Sequence, residues 1–182
     1  MSINTSLMQS VPPNNIQEIV SLEDTLLQTH TDAGIEDNWF IDRIKGGINL
    51  VEDYTKLSLT PQTWVLRVDG EIPSKIDLPR SPVRKILSVK YQSNVKADPI
   101  TIDNAILINE SIPAQLVIPN GFNGGGILRI EYECGYDPDK VPSAIRDAIL
   151  LYVSWAYENR AGEVEIPKAF YYIIEKYRLF ST

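Results

Sequence analysis

The apolar residues of this chain change their spacing twice, and that double change narrows the architectures open to it. Before residue 61 they recur at helical intervals: Leu22, Leu26 and Leu27, then Phe40, Ile41, Ile44, Ile48, Val51 and Tyr54. From residue 61 the period falls to two. Trp64, Leu66 and Val68 alternate with Thr63, Arg67 and Asp69, and Leu87, Val89 and Tyr91 alternate with Ser88, Lys90 and Gln92. After Val141 the helical period returns in Ile145, Ala148, Ile149, Tyr152, Val153 and Ala156, and again in Phe170, Ile173, Ile174 and Tyr177. The expected fold class is therefore α+β: a helical bundle formed by the N- and C-terminal helix pairs, with a small antiparallel β unit inserted between them.

Local signals place the element ends. Ser21 with Asp24 three residues on resembles a capping box, and Thr31-Asp32-Ala33-Gly34 breaks the first helix. Asp37 or Asn38 can cap the second. Gly46-Gly47 lies inside that second helix and costs it about 2 kcal/mol relative to alanine, which implies close backbone packing or a kink. Pro142 suits the first turn of the third helix, Trp155 and Tyr157 add bulk at its far end, and Gly162 is the expected stop. Pro167 opens the last helix.

Ile100 with Ile102, Ile106 with Ile108, Leu116 with Ile118, and Leu128 through Cys134 supply further strands, separated by prolines 73, 79, 82, 99, 113 and 119. This makes about five or six short strands. The expected organisation is a mobile or extended arm over 1–20, a helical bundle from 21–60 and 141–182, and the inserted β unit over 61–140. All of it forms one structural domain.

Charge narrows the function classes. The net charge is −7, and residues 1–60 hold nine acids against three bases. Such a chain is poorly suited to holding nucleic acid by phosphate neutralisation. A single cysteine, Cys134, excludes an internal disulfide framework and a cysteine-built zinc site. No run approaches the roughly 20 apolar residues of a membrane span, and the N-terminus lacks the pattern of a secretory signal. The expectation is an intracellular protein.

Candidate chemistry is sparse. Gly121 to Gly126 precedes a strand and lacks the Lys and Ser/Thr of a nucleotide loop, so it reads as a flexible inter-strand connection. His30 is the only histidine, and no nucleophile-elbow pattern accompanies it. Cys134 falls on the apolar side of its strand, as a buried thiol would. Asp137-Pro138-Asp139 lacks the spacing and closing Glu of a calcium loop and reads as a turn. Arg80, Arg84, Lys85, Lys90 and Lys96 form the one basic concentration, read as a solvated sheet face. No catalytic, cofactor or metal residues are assigned.

Three stretches carry a resemblance to a known family. The first is Ser21-Leu22-Glu23-Asp24 followed by Asp37 to Tyr54. The second is Thr60-Pro61-Gln62-Thr63-Trp64-Val65-Leu66-Arg67-Val68-Asp69-Gly70, continued by Ile76 to Val83. The third is Ile130 to Tyr136, leading to Val141-Pro142-Ser143-Ala144-Ile145-Arg146 and then Trp155 to Arg160. In order and spacing they resemble the tailed-bacteriophage head–tail connector proteins, also called adaptor or head-completion proteins, found too in prophages and gene transfer agents. Residues 92–126 show no matching phrase, and the chain after 162 is only generically helical.

The resemblance implies a non-enzymatic structural protein without cofactors. It would form a homo-dodecameric ring below the portal protein, extend the channel through which double-stranded DNA passes without specific binding, and dock the tail or stopper. It would be monomeric alone, assemble in the host cytoplasm and end at the head–tail interface of the virion, without a membrane. Combined with the acidic opening helices, it makes Asp42, Glu52 and Asp53 candidate channel-lining acids. Tyr171, Tyr172, Tyr177, Arg178 and Phe180 become the candidate portal-docking segment. The competing class is a small enzyme or carbohydrate-binding module using the β unit, which calls for a deep pocket with perturbed carboxylates. A third reading, a nucleic-acid binder, calls for steeply salt-dependent DNA affinity.

Overall fold

A computed structural model describes residues 4–11, 19–111, 113–119, 122, 125–160 and 165–179. The chain divides into two compact units rather than the single domain expected. One is built from Pro61–Gly135 with the N-terminal strand, the other from the described residues of Asn14–Thr60 and Tyr136–Phe180.

The β unit has eight strands among the described residues: β1 (Asn4–Val11), β2 (Gln62–Glu71), β3 (Lys75–Asp77), β4 (Val83–Gln92), β5 (Ile100–Thr101), β6 (Ile106–Ile108), β7 (Gln115–Val117) and β8 (Gly125–Cys134). They form a five-stranded sheet in the order β1-β2-β8-β4-β5 and a three-stranded sheet in the order β3-β7-β6. Every pairing is antiparallel. The alternation seen in β2 and β8 decides what is inside. Leu66 and Val68 face the core beside Leu128, Ile130, Tyr132 and Cys134, and Ile76 and Leu116 of the smaller sheet join the same cluster.

Three features depart from the sequence expectations. Residues 4–11 of the supposed arm are extended but paired, running along the edge of β2 with Leu7 opposite Leu66. Their pattern hid this, because of the side chains from Asn4 to Ser10 only Leu7 is drawn toward the core. Leu87 was expected inward with Val89. A register shift between Ile86 and Ser88 resets the pleat, so Ile86 packs on the core and Leu87 is 45% exposed. The Ile100–Ile102 run yields only a two-residue strand.

The helical unit contains α1 (Leu22–Thr29), α2 (Asp37–Thr55), α3 (Ser143–Glu158) and α4 (Lys168–Glu175), with a 3-10 turn at Pro138–Lys140. Ser21 caps α1 by accepting the Asp24 N–H at 3.0 Å. Asp37 is the first residue of α2, not its cap, and its carboxylate accepts the Gly34 N–H at 2.8 Å. The apolar stripes meet in one core of Phe40, Ile44, Ile48, Val51, Ile145, Ala148, Ile149, Val153, Phe170 and Ile174. α3 ends at Glu158, where the Asn159 side chain and backbone both donate to the Trp155 carbonyl. The stop expected at Gly162 lies outside the described residues, as do residues 12–18 of the arm and Gly121, Asn123 and Gly124 of the glycine-rich stretch.

Candidate assembly surfaces

Three side chains of α2 were expected to face a channel, and the helix separates them. Asp42 and Asp53 are eleven residues apart, about three turns, and so lie on one side of the helix. Both are exposed. Glu52 turns the other way. It is buried, and its carboxylate accepts the Leu59 N–H at 2.6 Å, fixing the chain where it leaves the helix. The channel-lining assignment of Glu52 is therefore corrected: one position is 100° of helix turn, enough to move a carboxylate from solvent to core. The exposed stripe is also not uniformly acidic. Lys45 meets Asp42 at 3.3 Å, and Lys56 is exposed one turn beyond Asp53.

The C-terminal segment presents an aromatic surface. Tyr172 is 79% exposed. Tyr171 is half-buried, its ring 5.3 Å from Tyr54 and 5.2 Å from Phe170. The Tyr54 hydroxyl donates to the Glu175 carboxylate, which raises the Tyr54 pKa above its ordinary value. The Arg178 guanidinium lies 5.2 Å over the Tyr54 ring and 3.9 Å from Glu175. Tyr177 is half-buried beneath the Lys176 ammonium. Tyr54, Lys168, Tyr171, Tyr172 and Glu175 line a shallow depression of about 290 Å³. Phe180 lies outside the described residues. Sequence reasoning missed Tyr54 and Glu175, because the α2 end and α4 meet only in the folded unit.

A second cluster was not foreseen at all. Arg160 donates two hydrogen bonds to the Glu36 carboxylate, while its guanidinium lies 4.5 Å over Trp39 and 4.3 Å over Tyr157. The hydrogen bond from Arg160 holds the Glu36 pKa below the usual carboxylate value. This bracket joins the start of α2 to the end of α3.

The remaining candidates fall apart chemically. His30 is exposed at the C-terminal end of α1, and Cys134 is fully buried in the β unit. Asp137 pairs with Lys140 at 2.7 Å across the 3-10 turn, as a turn reading requires. Of the basic concentration, Arg84 and Lys85 share Glu133 at 3.1 and 3.0 Å, and Arg80 lies 4.7 Å over Trp64. Among the described residues, no group of three or more His, Cys, Asp or Glu side chains is placed to hold a metal ion, and no helix is long and apolar enough to cross a membrane.

Four helices and two antiparallel sheets among the described residues make the α+β fold that was expected, and solved structures share it. Three of these come from gene transfer agent particles, two of them from particle necks. The chain matches one in the neck of an empty gene transfer agent (GTA) particle computed with C6 symmetry, with a TM-score of 0.76 and 16% identity, over 100% of this chain and 97% of that one. It matches one in the virion of a native gene transfer agent particle, with a TM-score of 0.72 and 16% identity, over 97% and 96%. A third, in the neck of a native GTA particle computed with C12 symmetry, gives a TM-score of 0.67 and 18% identity over 100% and 97%. No family model matches the sequence, and no curated protein matches it.

Proposed function

We propose that this protein is a structural head–tail connector: a subunit that assembles as a ring below the portal of a phage-like particle, extends the DNA channel and receives the tail or stopper. The observation that carries the reading is the fold shared over the whole chain with neck chains of particles computed with C6 and C12 symmetry. A twelvefold ring accords with both symmetries. In this reading the protein is not an enzyme, passes through the host cytoplasm during assembly and ends in the virion.

The aromatic surface of α4 is the portal-docking face, with Tyr172 as its exposed anchor and Tyr171, Tyr177 and Arg178 beside it. Aromatic and Arg side chains are the residue types that concentrate energy in protein interfaces. The exposed stripe of α2 with Asp42 and Asp53 is the channel wall, where carboxylates repel phosphate and the neighbouring lysines temper that repulsion.

The test is electron microscopy of the purified chain mixed with the portal protein of its own particle. An annular layer of twelve subunits below the portal is expected; a portal that stays bare overturns the reading. Truncation after Phe170 is a poor probe of docking, because Ile174 is fully buried in the helical core. Tyr172→Ala removes only an exposed ring, so it should leave the monomer folded and weaken portal binding at least tenfold.

A further inference from the structure

On the outer face of the five-stranded sheet, Arg67 of β2 stands directly opposite Arg129 of β8, and Arg129 stands directly opposite Lys90 of β4. Adjacent strands lie about 4.8 Å apart, so three cationic side chains leave one face in a row about 10 Å long. Like charges placed directly opposite each other destabilise a sheet. Arg67 is answered within its own strand by Asp69, which accepts from Nε at 2.8 Å and Nη2 at 2.9 Å. The other two are not answered. Arg129 and Lys90 are exposed, and among the described residues neither meets a carboxylate. The acids nearest in register are engaged elsewhere: Glu131 accepts from Ser88 at 3.3 Å, and Glu133 is shared by Arg84 and Lys85. Met8 of β1, 64% exposed and opposite Val65, adds an apolar spot to the same face.

The complementary surface lies on the helical unit. Glu23 and Asp32 are exposed and, among the described residues, have no cationic partner. Leu27 and Ile35, between and beyond them in the chain, are 68% and 81% exposed. We infer that the cationic row of the sheet docks the acidic, apolar-edged α1–α2 segment of a second copy of this chain, with Arg129 and Lys90 meeting Glu23 and Asp32.

The two surfaces are different patches, so the contact is heterologous and repeats from copy to copy, closing into a ring where the rotation allows. The inference rests on the ring reading above and names the interface that builds it. A second copy fits the row better than nucleic acid does, because a chain of net charge −7 gains little from phosphate neutralisation and carries most of its excess acid in residues 1–60.

The test uses the full chain and paired charge reversals at exposed positions, Arg129→Glu with Lys90→Glu, and Glu23→Lys with Asp32→Lys. Circular dichroism should show both variants folded. Association is read by sedimentation velocity at low salt and by ring formation on the portal. Each variant alone should lose association at least tenfold, and an equimolar mixture of the two should recover it. Rings that form equally well with both reversals overturn this interface and leave the ring reading standing. A wild-type chain that neither self-associates nor forms rings overturns both. Binding of a short DNA duplex by the wild type, lost on Arg129→Glu with Lys90→Glu, assigns the row to nucleic acid and refutes the inference.

Discussion

Gly47 of α2 lies directly beneath Tyr152 of α3: a Cβ at Gly47 would come within 2.9 Å of the Tyr152 ring and 3.2 Å of Ile149. Two helices approach this closely only where one of them lacks a side chain. The close backbone packing expected of Gly46-Gly47 is thus found where α2 meets α3.

Gly47→Ala sets two effects against each other. Alanine gains about 1 kcal/mol of helix propensity, while forcing a methyl into a packed contact costs about 1–3 kcal/mol. The crowding should win, and urea unfolding should show a net loss of about 1 kcal/mol. Gly46→Ala meets only the Tyr152 hydroxyl end at 3.3 Å, which can swing away. That variant should be neutral or slightly more stable. A Gly47→Ala protein as stable as Gly46→Ala would refute the close-contact account.

Glu52 belongs to the core, so its variants should report on stability. Glu52→Ala leaves the buried Leu59 N–H without the acceptor it now has at 2.6 Å. An unsatisfied buried donor costs about 1–3 kcal/mol. Glu52→Gln retains a side-chain acceptor and should lose less. Chemical denaturation of both variants measures the difference.

Tyr132 should govern the alkaline limit. Its ring is fully buried, its hydroxyl donates to the Pro79 carbonyl, and burial pushes its pKa far above the ordinary value near 10. A raised folded pKa gives stability that is complete below pH 10 and is lost as the pH climbs above it, because the unfolded chain then releases the proton first. Tyr132→Phe should cost about 1 kcal/mol at neutral pH through the lost hydrogen bond and should show a shallower alkaline decline. Thermal melts across the alkaline range test both parts.

Glu36 should shape the acid limit. Its pKa is lowered from 4.5, first by the hydrogen bond from Arg160. The stability it contributes is therefore present above pH 4.5 and disappears as the pH falls through the lower folded value. Wild-type protein should lose melting temperature faster than Glu36→Gln on acidification below that point. Parallel slopes for the two proteins would remove the bracket from the account of acid stability.

Much of the fold was legible because hydrophobic period is a local property. A stripe every three or four residues demands a helix whatever it packs on, and the strict alternation of Leu128 to Cys134 demands a half-buried strand. The candidate surfaces were less legible. The face of α2 was readable as acidic, but that Glu52 and not Asp53 would be buried depended on the chain turning back to bring the Leu59 N–H onto its carboxylate. Tyr54 and Glu175 are 121 residues apart, and nothing local announces that they share a hydrogen bond.

The sequence alone determined the α+β class, the two flanking helix pairs, the long strands β2, β4 and β8, and the excess of acid near the N-terminus. Only the tertiary structure decided that β2 would lie beside β8, that residues 4–11 would be paired as an edge strand, that Leu87 would face outward and Glu52 inward, and that three cations would align across one sheet face. The physical reason is the same throughout. Propensity and period act over a few residues, whereas strand order, register and the burial of a single carboxylate are chosen by partners that meet from distant parts of the chain.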